Sequence, residues 1–227
     1  MGRWLNLTAA DGIGVQAYRA EPSGTSAGLK PRGALVVVQE IFGVNEHIRA
    51  ICDDFAAEGY VAIAPGLFDR YQRGVALGYG PEDIARGRQL KAHARTDIAL
   101  TDIAAARASV ASAGKVGVIG YCWGGFLTWM SAARLTGFSC AVCYYGGGMV
   151  EAIDEKPPCP VMAHFGERDA AIPIDGARRF AAAHPGVEVF FYDAEHGFNC
   201  DQRQSYNPAA AKLARQRTLG FLRKHLG

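Results

Sequence analysis

The chain has 227 residues, 49% of them hydrophobic and 20% charged, with a formal net charge of +2. That length fits one globular domain, 1–227, with a core that needs no disulfide or metal support. No apolar run approaches the roughly 18 residues of a membrane span, and the charge is spread without basic runs, which argues against a membrane segment and against nucleic acid as a partner. The opening MGRWLNLTAADG lacks an apolar stretch followed by a small-residue cleavage site, so the cytoplasm is the expected compartment. Six cysteines are too sparse for a disulfide scaffold and are expected as free thiols.

In chain order, LNLTA and GVQAYRA flank Asp11-Gly12 and predict an antiparallel hairpin at a sheet edge; EPSGTSAGLKPRG is a loop by composition. Six short apolar runs follow: ALVVVQ, YVAIAP, KVGVIG, CAVCYYG, PVMAHFG and VEVFFYD. Their lengths suit strands buried on both faces. Between them, and at the end, lie NEHIRAICDDFAAEG, RTDIALTDIAAARASVASAG, GGFLTWMSAARL, IDGARRFAAAHPG and PAAAKLARQRTLGFLRKHL, rich in helix formers with apolar residues at helical spacing. Regular alternation of strand and helix predicts an α/β protein with a mainly parallel sheet covered on both faces, whose ligands bind at the carboxyl ends of the strands.

The segment GYCWGG at 120 to 125 stands between a predicted strand and a predicted helix. This is the layout of a nucleophile elbow, G-x-S-x-G, with Cys122 in place of serine. The glycines remove side chains that would collide with strand and helix, and the helix N-terminus favours a thiolate. A nucleophile on such a fold takes an acid and then a histidine further along the chain. Asp169 follows PVMAHFG and His196 follows VEVFFYD, both at carboxyl ends. His196 would accept the Cys122 proton or stabilise its thiolate, and Asp169 would orient the imidazole. Oxyanion donors are expected from the backbone amide of Trp123 and from Ile41 or Phe42. Glu40 ends a run that should be buried, where a carboxylate needs a partner. It is either a structural mate of an arginine or a gate on the thiol's protonation.

These residues, together with QEIFGVN at 39 to 45, EGYVAIAP at 58 to 65, YYG at 144 to 146 and EHGF at 195 to 198, resemble the bacterial dienelactone hydrolases, the carboxymethylenebutenolidases of chloroaromatic degradation, over nearly the whole chain. The resemblance implies an α/β-hydrolase fold, a Cys122-His196-Asp169 triad, and a Glu40 that keeps the resting thiol protonated until substrate displaces it. It also implies thiolate attack on a lactone carbonyl, an acyl-enzyme, and hydrolysis to maleylacetate, with no cofactor or metal and commonly as a monomer. Family members hold the substrate carboxylate with two arginines. Here the position four after His196 is Cys200, so Arg203, with Arg86 or Arg88, are the candidates, and Phe42 and Tyr144 are expected to line the pocket. Trp123 is bulkier than the aliphatic residue often found there and would reshape the site. Another small ester, lactone or thioester is the alternative substrate, and a thiol sensor the alternative role. In FSCAVCYY, Cys140 and Cys143 stand three apart on a strand, so their thiols point to opposite faces and cannot converge on a metal. His164 is expected as a core histidine, and His47, His93, His184 and His225 show no ligand spacing.

Overall fold

The computed structural model describes residues 2–24, 28 and 30–227; part of the loop expected over 21–33 lies outside them. Strands β1 (Arg3–Thr8) and β2 (Gly14–Ala20) form the expected hairpin, closed by the amide of Gly12 on the Ala9 carbonyl with Gly12 at φ 82°. They are followed by β3 (Ala34–Val38), helix α1 (Glu46–Ala57), β4 (Val61–Pro65), α2 (Pro81–His93), α3 (Thr96–Val110), β5 (Val116–Tyr121) and α4 (Trp123–Arg134). The chain finishes with β6 (Cys140–Tyr144), β7 (Val161–Gly166), α5 (Ile174–Ala183), β8 (Glu188–Tyr192) and α6 (Pro208–His225).

The eight strands form one sheet in the order β1-β2-β4-β3-β5-β6-β7-β8, antiparallel through the hairpin and its junction with β4 and parallel from β4 onward. Every residue of β3 to β7 is buried, as runs of Val, Ile and Ala covered on both faces must be. Helices α1 and α6 cover one face, joined where Arg215 packs its guanidinium on Phe55 and pairs with Glu58. Helices α3 and α4 cover the other, and α5 is fastened to α4 by the edge-on contact of Trp129 with Phe180. This is the α/β-hydrolase fold.

The strand order reverses between β3 and β5, so the crevice where such sheets bind ligands opens at the carboxyl ends of these two strands. Glu40 follows the first and Cys122 the second. Helix α2 is an addition to the elements read from the sequence. It buries little beyond Gly87 and Leu90, so it carries no apolar stripe to announce it. His164, inside β7, is a core residue: Nδ1 meets the Tyr192 hydroxyl at 2.8 Å and Nε2 the Thr218 hydroxyl at 3.1 Å. Cys140 and Cys143 are both fully buried free thiols on β6.

Candidate active site

Three strands, β5, β7 and β8, bring Cys122, Asp169 and His196 to one edge. Cys122 is the N-cap of α4 at φ 56° and ψ −119°, a region side chains rarely adopt. The turn is this tight because backbone crowds it on every side. A Cβ on Gly120 would come within 2.1 Å of the Gly124 carbonyl oxygen, and one on Gly124 within 2.3 Å of the Val38 oxygen. The elbow is thus held against β3 as well as β5. Its own amide donates to the Tyr144 carbonyl at 3.0 Å.

His196 Nδ1 lies 2.7 Å from Asp169 Oδ2, while Oδ1 of the same carboxylate accepts from the amides of Ala171 at 2.8 Å and Ile172 at 3.1 Å. Asp169 is buried and fully occupied, so it fixes the ring rather than exchanging with water. Burial alone would push the His196 ring down. The Cys122 sulfur, both as a charge and as a hydrogen-bond partner, and the Asp169 carboxylate outweigh it and raise the ring to about 10. The arrangement therefore favours the protonated form of the His196 ring. From below, the ring of Tyr145 meets His196 edge-on at 5.1 Å between centroids; Tyr145 itself sits at φ 36°.

The amides of Trp123 and Ile41, the expected oxyanion donors, bond to no acceptor among the described residues. The Trp123 ring stacks on Phe68 at 5.3 Å and 8°, which directs most of its bulk into the core. Helix α2 approaches the Ile41 loop so closely that a Cβ on Gly87 would lie 2.4 Å from the Ile41 carbonyl oxygen. That contact brings the helix to the rim of a cavity of about 600 Å³ containing Cys122, His196, Trp123, Phe42, Phe126 and Arg203.

Arg88 and Lys91 line the same cavity from α2, with Glu151 also on its wall. Arg86 does not. Two residues before Arg88 it lies on another face of the helix, bonded to Gln89 and Gln72. Tyr144 is likewise absent from this cavity: it is buried, with its hydroxyl 2.7 Å from Thr218 Oγ1 and its ring on His164. Tyr145, one residue past the end of β6 and at φ 36°, instead turns its ring toward His196. Lys91, Phe126 and Glu151 line the cavity without having been singled out from the sequence.

Glu40 is completely buried. Its Oε2 accepts from the Tyr79 hydroxyl at 3.0 Å, and its Oε1 faces Arg203 Nη1 at 3.3 Å. Burial disfavours the charge on Arg203, and the Glu40 carboxylate outweighs that, holding the guanidinium above its ordinary range. The loop that carries Tyr79 is pinned by a bridge between Gly43 and Ala76.

The sequence profile of the Dienelactone hydrolase family matches residues 15–226. The carboxymethylenebutenolidase of Pseudomonas putida is 33% identical over 229 residues, covering 93% of this chain and 95% of its own. A solved structure from Klebsiella pneumoniae subsp. pneumoniae, named "Putative Dienelactone Hydrolase", superposes with a TM-score of 0.84 at 30% identity, covering 97% of this chain and 98% of that one. A dienelactone hydrolase-like promiscuous phosphotriesterase from metagenomic libraries, at 18% identity and TM-score 0.77 over 100% of this chain and 99% of its own, shares the fold. With an elbow of this geometry, and relatives that match it from one end to the other, the chain belongs to the dienelactone hydrolase family and is a hydrolase of the ester and lactone class.

Proposed function

We propose that the protein opens an enol-lactone of the dienelactone type through a cysteine acyl-enzyme, with Cys122, His196 and Asp169 as the triad. The observation that carries this reading is the 2.7 Å contact of His196 with Asp169, on a ring whose other partner is the elbow sulfur. A thiolate at Cys122 attacks the lactone carbonyl carbon, and the carbonyl electron pair moves to oxygen, facing the Trp123 and Ile41 amides. Collapse of this intermediate breaks the ring C–O bond and leaves a thioester, the enolate taking its proton from the His196 imidazolium. His196, now neutral, accepts a proton from the attacking water. The thioester C–S bond then breaks, regenerating the thiolate with its imidazolium; the new carboxyl group gives the water's second proton to solvent, and the dicarboxylate product leaves, maleylacetate in the case of dienelactone.

Arg203, Arg88 and Lys91 give the cavity the cations that a lactone bearing a free carboxylate requires. Glu40 contributes by holding Arg203 in place, so an incoming carboxylate competes with Glu40 for the same guanidinium and can thereby couple substrate binding to the state of the thiol. The pairing of Arg203 with Glu40 also favours a second reading, in which that cation is already neutralised and the substrate is an uncharged small ester, lactone or thioester.

The test is kcat/KM on cis- and trans-dienelactone beside a neutral phenyl ester, with rapid-quench mass spectrometry for a covalent adduct on Cys122. A preference for dienelactone with an adduct of the ring-opened mass supports the first reading. Turnover of the neutral ester alone replaces it with the second, and turnover without any adduct removes the acyl-enzyme.

A further inference from the structure

Beside the triad lies a second buried group of reactive side chains, two of which, His47 and Cys200, have no part in the proposed hydrolysis. Glu40 follows β3, His47 is in the first turn of α1, and Cys200 is in the loop after β8. Each offers one ligand atom, and the three atoms lie within 4.8 Å of one another. All three residues are buried, His47 at 5% exposure and the other two at 0%. The second observation is an orphan: His47 Nε2 is buried with no hydrogen-bond partner, while Nδ1 stands 3.6 Å from Asp201. A buried ring nitrogen without a partner is costly unless something binds it.

We propose that Glu40, His47 and Cys200 form a binding site for a divalent cation of the zinc type. Carboxylate, imidazole and thiolate form a three-ligand donor set suited to a borderline-soft, four-coordinate ion, whereas magnesium and calcium ask for six or more oxygens. The ligands are close to the needed protonation states. Burial holds His47 below its usual value, leaving the ring neutral, and Glu40 is already ion-paired. Only Cys200 must change. Burial and the Glu40 charge push its thiol up to about 11, so binding breaks its S–H bond and sends one proton to solvent as the sulfur–metal bond forms. Two anionic ligands then balance a dication.

The present partners of Glu40 show what must give way. Tyr79 can stay on Oε2, whereas Arg203 on Oε1 is a like charge that the ion displaces. Arg203 also lines the Cys122 cavity, so occupancy of the metal site frees a cation beside the nucleophile and alters binding of anionic substrates. His47 also borders a separate cavity of about 320 Å³ between α1 and α6, walled by Asp201 and Tyr206, which reaches the site from the side of that ligand.

The test uses the full chain carrying Cys122→Ala, so that the active-site thiol cannot answer for Cys200, stripped with chelator and titrated with Co²⁺. The expected result is a single tetrahedral cobalt site with a thiolate-to-metal charge-transfer band, displaced by Zn²⁺, with release of about one proton per ion. Cys200→Ser in that background removes the band, His47→Gln weakens binding at least roughly tenfold, and Arg203→Gln tightens it. Absence of a charge-transfer band in the folded Cys122→Ala protein overturns the proposal, as does a band that survives both Cys200→Ser and His47→Gln. Circular dichroism of each variant separates lost binding from lost fold, and the titration of Cys122→Ala decides the matter even if a ligand variant does not fold.

Discussion

His164, fully buried inside β7, and His196, part-buried in the loop after β8, have rings that are driven in opposite directions. His164 is enclosed by hydroxyls, Tyr192 on one nitrogen and Thr218 on the other; burial, with Arg217 nearby, lowers it to about 3. His196 is also disfavoured by burial, yet the Cys122 sulfur and the Asp169 carboxylate raise it to about 10. Burial by itself makes a neutral, inert histidine. A carboxylate on one ring nitrogen and the elbow sulfur as the other partner strengthen the same side chain's hold on its proton.

The largest effect is expected from removing the proposed nucleophile. Cys122→Ala should lower kcat/KM by at least about 10⁴-fold with the fold intact, since binding and oxyanion donors alone retain only a residual rate; steady-state kinetics beside a thermal melt decide it. Next is Asp169→Asn, expected to cost about 10²- to 10⁴-fold in kcat by loosening the ring and its tautomer. It should also move the pH profile. In the wild type the imidazolium loses its proton only as pH rises through about 10, so the alkaline limb of kcat/KM lies near there. Without the carboxylate the proton is held less tightly and the limb shifts to lower pH. A limb that stays in place would mean that Asp169 contributes orientation alone.

The contrast between the two histidines was legible in the chain, because each depends on local pattern. His164 lies within an apolar strand run, and His196 follows a strand on a fold whose elbow is announced by its glycines. What lay beyond the sequence is set by distant contacts. The partners of Glu40 are 39 and 163 residues away, at Tyr79 and Arg203, and no local feature of QEIFG distinguishes a gate from an ion pair. Helix α2 escaped for a different reason. Its stability comes from Pro81 at its start and the close approach of Gly87 to the Ile41 loop, not from an apolar stripe, so Lys91 could not be assigned to the cavity. Tyr144 and Tyr145 are adjacent in YYG, and only the turn at the end of β6 decides which of them faces His196.

A smaller effect should come from the cavity's cations. Lys91→Met is expected to raise KM for a carboxylate-bearing lactone by roughly three- to tenfold, about 0.7–1.4 kcal/mol, and to leave a neutral ester within about twofold. Equal losses on both substrates would show that Lys91 supports the fold of α2 and does not select charge.

The smallest effect on catalysis belongs to the other histidine, where the change is in stability. His164→Gln leaves one of the Tyr192 and Thr218 hydroxyls poorly matched in a fully buried site, and should cost about 1–3 kcal/mol by denaturant unfolding. Activity per folded molecule and its alkaline limb should be unchanged. The pH dependence gives the sharper test. With a folded value near 3 against 6.5 for a free ring, the wild-type unfolded state binds a proton that the native state refuses between those two values. Stability should therefore be fully present above about pH 6.5 and fall as the solution is acidified toward pH 3. His164→Gln removes that proton uptake, so its unfolding free energy should fall less steeply over the same interval, and the gap between variant and wild type should narrow on acidification. An unchanged slope would mean that the His164 pocket admits the proton, and that burial there is less effective than its hydroxyl partners suggest.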